Sequence, residues 1–107
     1  SKKPAPEPDP VDGRVRLDGV VATEEEVEHL NTPCDKFHLT MPSKKALAGA
    51  GIRFIGNLIQ LTAAEVKTIK QLGRNGPILI EQNLKDEGLS LGTRVTGWTQ
   101  PQDTTTY

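Results

Sequence analysis

The stretch "IRFIGNLIQLTAAEVKTIKQLG", residues 52–73, decides the fold of this 107-residue chain. Its apolar side chains recur every three or four positions, the spacing that collects them on one face of a helix. In its middle, Thr62 is followed three residues later by Glu65, which is the pattern of a capping box at the start of a helix. The stretch therefore predicts two short consecutive helices, over 53–60 and 63–70.

A further helix is predicted on each side of this pair. In "TMPSKKALAG", Pro42 or Ser43 suits the first turn of a helix over 43–50. Pro77 suits the first turn of a last helix over 76–87. Together these elements predict an all-α fold, a compact domain of four helices. Its expected core consists of aliphatic side chains on the inner faces of the helices: Leu47, Ile55, Leu58, Ile59, Val66, Ile69, Leu72, Ile80 and Leu84.

The turn before the last helix, "LGRNGP" (72–77), has the form of a helix-hairpin-helix motif, in which a short glycine-containing turn joins two helices. In that motif the N–H groups of the turn and the start of the next helix face one place, and both attract phosphate. A tight connection between two packed helices needs the same glycines. The turn alone therefore leaves a phosphate site and a packing role open.

The first part of the chain is acidic. Residues 1–31 hold four basic and eight acidic side chains, a net charge near −4. Because residues 1–12 are rich in proline and charge, we expect a flexible acidic N-terminal segment over 1–31. A helical domain over 32–100 and a tail over 101–107 follow. Within the domain, "LSLGTRV" (89–95) is expected to pack back without regular secondary structure.

Two local elements are predicted inside the acidic segment. The Asp-Gly pair at 18–19 is a favoured hairpin turn, which indicates a hairpin over 14–23. Thr23 and Glu26 repeat the capping-box pattern and indicate a short helix over 24–30. A lone hairpin is only marginally stable in water, so this one is expected to lean on another surface.

The rest of the chain has the opposite charge. Residues 32–107 carry nine basic and six acidic side chains, and the window 36–75 carries seven basic side chains against Glu65 alone, a net charge near +6. A basic surface of this kind favours an anionic partner such as DNA. A solvated lysine-rich face would give the same count, so both interpretations stay open.

Several function classes lack support in the sequence. Cys34 is the sole cysteine, so no internal disulfide can form, which favours a reducing compartment and a cytoplasmic protein. No apolar run reaches the ~18 residues that a membrane span needs. His29 and His38 are isolated, and no cysteine–histidine cluster has the spacing of metal ligands, so no metal, cofactor or small-molecule substrate is expected. The chain is therefore expected not to be an enzyme.

The chain resembles the C-terminal domain of the bacterial RNA polymerase α subunit over residues 33–98. The most specific parts are "IRFIGNLIQ" (52–60), the Leu-Gly pair at 72–73 and "GLSLGTRVTGW" (88–98). The resemblance implies a compact domain of four helices, preceded by an irregular turn around 34–38. It also implies a role in transcription initiation, with A/T-rich upstream promoter DNA held across the minor groove and with contacts to activators and the σ factor.

The resemblance places the DNA contacts in two segments, the start of the first helix of the domain and the turn before the last. The principal minor-groove arginine of the family corresponds to Pro42, which has neither a donor nor a charge. We therefore expect weak DNA binding that rests mainly on phosphate contacts, which position a protein but read no sequence. The expected DNA-binding residues are Ser43, Lys44, Lys45, Arg53, Gly73, Arg74, Asn75 and Gly76.

The activator-facing surface of the family corresponds to Thr62, Glu65 and Arg94. A capping box explains the first two as well, whereas Arg94 has no such local explanation. Two functions stay open. The chain is either a transcription-related DNA-binding and interaction module with altered, weakened DNA contacts, or an adaptor or decoy that binds transcription factors or RNA polymerase without binding DNA.

Overall fold

The computed structural model describes residues 13–101, which form five α-helices and a small sheet. In order along the sequence the elements are β1 (Arg16–Leu17), β2 (Val20–Val21), α1 (Glu24–Leu30), a 3₁₀ turn (Cys34–Lys36), α2 (Met41–Gly49), α3 (Ile55–Leu58), α4 (Ala63–Lys67), α5 (Gly76–Asp86) and β3 (Val95–Thr96). Among these helices none has the length and apolar character needed to cross a membrane. The first twelve residues of the predicted flexible segment and most of the predicted tail lie outside the described residues.

The predicted hairpin is present and belongs to a three-stranded antiparallel sheet of order β2-β1-β3. Asp18 and Gly19 have φ angles of 50° and 82°, the left-handed values that a two-residue type I′ turn requires. The third strand comes from the segment that was predicted to be irregular. The all-α prediction is therefore wrong in this respect, since a hairpin that is marginal alone gains a partner strand from the far end of the domain.

Helix α1 precedes the four helices that were predicted for the domain and brings their number to five. Both hydrogen bonds of its capping box are present: Glu26 N–H donates to Thr23 Oγ1 at 3.1 Å, and Thr23 N–H donates to Glu26 Oε1 at 2.8 Å. The helix packs against α3, and Leu30 at its end is fully buried in the common core. Packing thus continues across the boundary that the sequence places after residue 31.

Helix α2 begins two residues before its predicted start because Thr40, rather than Pro42 or Ser43, caps it. Thr40 Oγ1 accepts a hydrogen bond from the Ser43 amide at 3.3 Å. Pro42 then occupies the second helical position, where the missing N–H costs no intrahelical hydrogen bond. The cap leaves Met41 and Pro42 exposed at the start of the helix.

Helices α3 and α4 are shorter than predicted because side chains compete for their backbone groups. Gln60 Nε2 donates to the Gly56 carbonyl at 2.9 Å, the acceptor that the backbone amide of residue 60 would use in a continuing helix. Thr68 Oγ1 donates to the Glu65 carbonyl at 2.6 Å, where α4 ends. The backbone then turns through Gln71, whose φ is 76°.

The aliphatic core is close to the prediction. Of the nine expected core residues all but Ile69 are buried, and Ile69 packs partly buried against the same cluster. The core gains further members from α1, the 3₁₀ turn and the loops: Leu30, Cys34, Phe37, Ala46, Ile52 and Leu89. The core therefore joins all five helices and fixes the relative positions of α2, α4 and α5.

Gly56 should be far less tolerant of alanine than Gly49. A Cβ built at Gly56 would lie 2.5 Å from the ring of Trp98, whereas one at Gly49 would meet nothing within 4 Å. We expect Gly56→Ala to destabilise the domain by about 1–3 kcal/mol through overpacking, and Gly49→Ala to stabilise it by up to about 1 kcal/mol through helix propensity. Urea unfolding followed by the fluorescence of Trp98, the single tryptophan, measures both. Equal stabilities of the two variants would contradict this expectation.

Candidate nucleic-acid interface

Ser43 does not reach the surface at the start of α2. Its side chain is 3% exposed, and its hydroxyl accepts a hydrogen bond from Thr40 Oγ1 at 3.0 Å. Together with the bond from its amide to Thr40, this makes Ser43 part of the helix cap. This burial argues against its predicted place among the DNA contacts, because a buried hydroxyl is not presented to a ligand.

Lys44 and Lys45 point into different grooves, as adjacent residues of a helix must. Lys44 lines a cleft of about 480 Å³ together with Arg53 and Asp35. Lys45 lines a second groove, of about 410 Å³, together with Lys70. The predicted set of basic residues is therefore divided between two sides of α2, and the two lysines do not converge on one ligand group.

The glycines of the "GRNG" turn have two separate tasks. Gly73 has a φ of 71°, a left-handed value that suits glycine, and an added Cβ there would meet nothing within 4 Å. Gly76 is buried, and a Cβ there would lie 2.9 Å from the Cβ of Leu72. One glycine makes the turn and the other allows close packing, while Arg74 and Asn75 between them are exposed.

The start of α5 carries no side-chain cap. Asn75 is the N-cap residue but makes no capping hydrogen bond, and Pro77 in the first turn has no N–H. The positive end of an 11-residue helix thus faces the turn without a side-chain acceptor. Such a helix start attracts anions, and the exposed Arg74 guanidinium beside it adds a positive charge.

Arg74 also lines a third groove, of about 400 Å³, between α4 and α5. Its lining includes both apolar and charged residues: Ala63, Pro77, Ile78 and Leu91 on the one hand, and Lys67, Arg74 and Glu81 on the other. Ile78 is 52% exposed, which is high for a large aliphatic side chain. The groove combines apolar surface with both signs of charge, which is typical of a protein contact.

The three predicted activator-facing residues occupy two places. Thr62 and Glu65 form the capping box of α4, with bonds of 3.1 and 2.9 Å between each side chain and the other's amide. Arg94 lies at the hairpin, where its amide donates to Asp18 Oδ1 at 2.9 Å. The Gly92 amide donates to the Leu61 carbonyl and the Thr93 amide donates to the Ile59 carbonyl, so segments 59–61 and 92–93 run antiparallel. Thr62 therefore follows one end of this contact, and Arg94 follows the other end.

Two basic residues of these grooves were not among the predicted site residues. Lys67 lines the same groove as Arg74, and Lys70 lines the same groove as Lys45. Both belong to the basic window 36–75, and their charge in that window is the one sequence feature that pointed to them. Their positions relative to α2 and α5 depend on the early end of α4 and on the turn after it.

The cysteine and histidine side chains show no catalytic arrangement. Cys34 is 4% exposed, and its burial, together with the nearby Asp35 charge, raises the pKa of its thiol to about 12. A thiol with that pKa stays protonated at neutral pH and is a poor nucleophile. His29 pairs with Glu87 at 3.0 Å, joining the ends of α1 and α5. Within residues 13–101 no group of three or more potential ligands could hold a metal ion.

Comparisons with known proteins agree with this fold. The sequence is 38% identical over 88 residues to the DNA-directed RNA polymerase subunit alpha of Desulfotalea psychrophila, a match that covers 80% of this protein and 26% of that relative. It thus spans about a quarter of that relative's length. The NMR structure of the C-terminal domain of the RNA polymerase alpha subunit from Helicobacter pylori shares the fold, with a TM-score of 0.57 at 19% identity over 86% of this protein and 75% of that one.

The sequence model of one protein family matches residues 21–86, which begin at the second residue of β2 and include every helix from α1 to the end of α5. This match begins earlier than the predicted domain start at residue 32, in agreement with the packing of α1 into the core. It covers more than half of the sequence and contains both segments of the candidate interface. The protein belongs to the family formed by the C-terminal domain of the alpha chain of bacterial RNA polymerase.

Proposed function

We propose that this protein is a cytoplasmic DNA-binding module of transcription whose contacts with DNA are weak and made mainly with phosphates. Family membership supports a transcription-related role, and the family is a non-catalytic part of RNA polymerase. DNA and RNA polymerase or transcription factors are the proposed partners. Because Pro42 stands where the family has its principal arginine, other basic side chains have to supply the contacts with DNA.

The observation that carries the proposal is the exposed, unpaired charge of Lys45 and Arg74. Neither side chain forms an ion pair within residues 13–101. They extend from α2 and from the turn before α5, the two segments that the family resemblance assigns to DNA. Basic side chains without an internal partner are available to neutralise phosphates.

Pro42 sets the expected strength of this binding. Recognition of a narrow minor groove depends on the insertion of a basic side chain such as arginine. Pro42 is exposed at the start of α2 but offers neither charge nor donor. We therefore place the dissociation constant in the range of non-specific binding, about 10⁻⁴–10⁻⁶ M at physiological salt, with little preference for A/T-rich sequence.

Arg74→Ala and Lys45→Ala should each weaken DNA binding and reduce its dependence on salt. Each lost phosphate contact lowers the slope of log affinity against log salt by about 0.9. Fluorescence anisotropy with A/T-rich and G/C-rich duplexes at two salt concentrations measures affinity, slope and sequence preference together. Lys36→Ala, which removes an exposed lysine from the 3₁₀ turn, is the charge-matched control. If both variants bind like the wild-type protein, this surface is not a DNA site.

If this surface does not bind DNA, we propose instead that the protein is an adaptor or decoy. The groove between α4 and α5 favours it, because Ile78 and Leu91 offer apolar contact beside the charges of Lys67 and Glu81. The expected partner is RNA polymerase or a transcription factor. Amide chemical shifts that change only along this groove, on titration with polymerase and not with DNA, would support that function.

A further inference from the structure

We infer that Lys45 and Lys70 hold one phosphate group of the DNA backbone between them, in the groove between α2 and the turn that follows α4. This inference rests on the proposed DNA-binding function and names a contact that the family resemblance does not assign. Lys70 lies outside both segments of the expected interface. It would supply a charged contact with the DNA backbone, which Pro42 cannot make.

The shape of the groove suits a small anion. Lys45 lines the groove from α2, and Lys70 and Gln71 line it from the segment that follows α4. Three small residues from the second half of α2 and its C-cap, Ala46, Gly49 and Ala50, also line the groove and leave it open. Its volume of about 410 Å³ accommodates a phosphate group with several waters, each of which occupies ~30 Å³ in the liquid.

The charge of the groove distinguishes it from the two other grooves near the interface. The cleft of Lys44 includes Asp35 and the groove of Arg74 includes Glu81, so each holds an internal counter-charge. The lining of the Lys45–Lys70 groove contains no acidic side chain. Neither lysine forms an ion pair within the described part of the protein. A phosphate would relieve the repulsion of two like charges that face one groove.

Backbone strain in the same groove is an independent observation. Gln71 has a φ of 76°, a left-handed conformation that costs a residue with a Cβ about 1–2 kcal/mol. Glycine occupies most of the positive-φ positions of this domain, including Gly73 two residues later. Strain that persists in an exposed turn is typical of functional sites. Here the strained residue directly follows Lys70 and lines the same groove.

The test is a double-mutant cycle on DNA binding with Lys45→Ala, Lys70→Ala and the double variant, in the 107-residue protein. The probe is a fluorescent A/T-rich duplex, titrated at about 50 and 200 mM salt. We expect each single variant to lower the salt slope by about 0.9, which reduces the affinity change between the two salt concentrations by about threefold to fourfold. The double variant should lose no more than either single variant, because the phosphate is held only when both lysines are present.

Lys85→Ala is the matched control, since Lys85 lies in the last turn of α5, at the opposite end of that helix from the "GRNG" turn. Wild-type affinity of Lys70→Ala, or additive losses in the double variant, would overturn the shared phosphate site. If Arg74→Ala still weakens binding in that case, the proposed function stands without this inference. Absence of wild-type binding to any duplex would overturn both.

Discussion

Leu30→Ala should destabilise the whole domain by about 2–5 kcal/mol, the usual cost of truncating a fully buried leucine. Leu30 has no exposed surface and belongs to the same cluster as Leu58 of α3 and Ile80 of α5. Its loss would leave a cavity where α1 meets α3. Because small domains have only about 5–15 kcal/mol of total stability, the change is a large fraction of the total.

Urea unfolding monitored by circular dichroism measures this effect, and Ile78→Ala is the matched control. Ile78 is also an aliphatic residue, but it is 52% exposed on α5, so its truncation should change the stability by no more than about 0.5 kcal/mol. If Leu30→Ala unfolds at the wild-type urea concentration, α1 is not part of the cooperative unit. The domain would then begin after residue 31, as the sequence prediction places it.

Local sequence signals were sufficient for much of this fold. The capping boxes at Thr23 and Thr62 are both formed, and the Asp-Gly hairpin adopts the turn that its residues favour. Each of these signals acts over two to four residues, so it can be read directly from the sequence. The 3.6-residue period likewise identified the core, with Ile69 as the partly buried exception.

The remaining features depend on residues distant in sequence. Val95 pairs with Leu17, and nothing in the two-residue strands themselves indicates that partner. The early end of α3 depends on the Gln60 side chain, which takes the Gly56 carbonyl in place of the backbone. Such competition between side chain and backbone is decided by the surrounding packing rather than by propensity.

The candidate site was predictable by charge but not by geometry. The basic window included the lysines that line the grooves, yet it could not separate Lys44 from Lys45 or place Lys70 in the same groove as Lys45. Ser43 shows the same limit, because its cap partner Thr40 determines its burial. A count of charges along the sequence indicates the sign of the partner's charge. The helix ends and turns decide which charged side chains share a groove.

Pro42→Arg should strengthen binding to an A/T-rich duplex by about 5-fold to 150-fold, the range that a groove contact of about 1–3 kcal/mol corresponds to. Position 42 is exposed in the first turn of α2, where a restored N–H needs no intrahelical partner. The new guanidinium would extend from the segment where the family has its minor-groove arginine. Narrow A/T-rich minor grooves attract arginine more strongly than G/C-rich ones, so we expect the gain to be smaller on a G/C-rich duplex.

Met41→Arg separates groove insertion from simple charge. Met41 is the adjacent residue and is 63% exposed, so the change adds the same charge to the same helix turn, with the same mild dipole penalty. An added charge that only meets phosphate should strengthen binding equally on both duplexes and lose that gain at high salt. If Pro42→Arg behaves like Met41→Arg on both duplexes, position 42 does not enter the groove. Alignment with the family arginine would then carry no functional meaning here, and binding would depend on the phosphate contacts of Lys45, Lys70 and Arg74 alone.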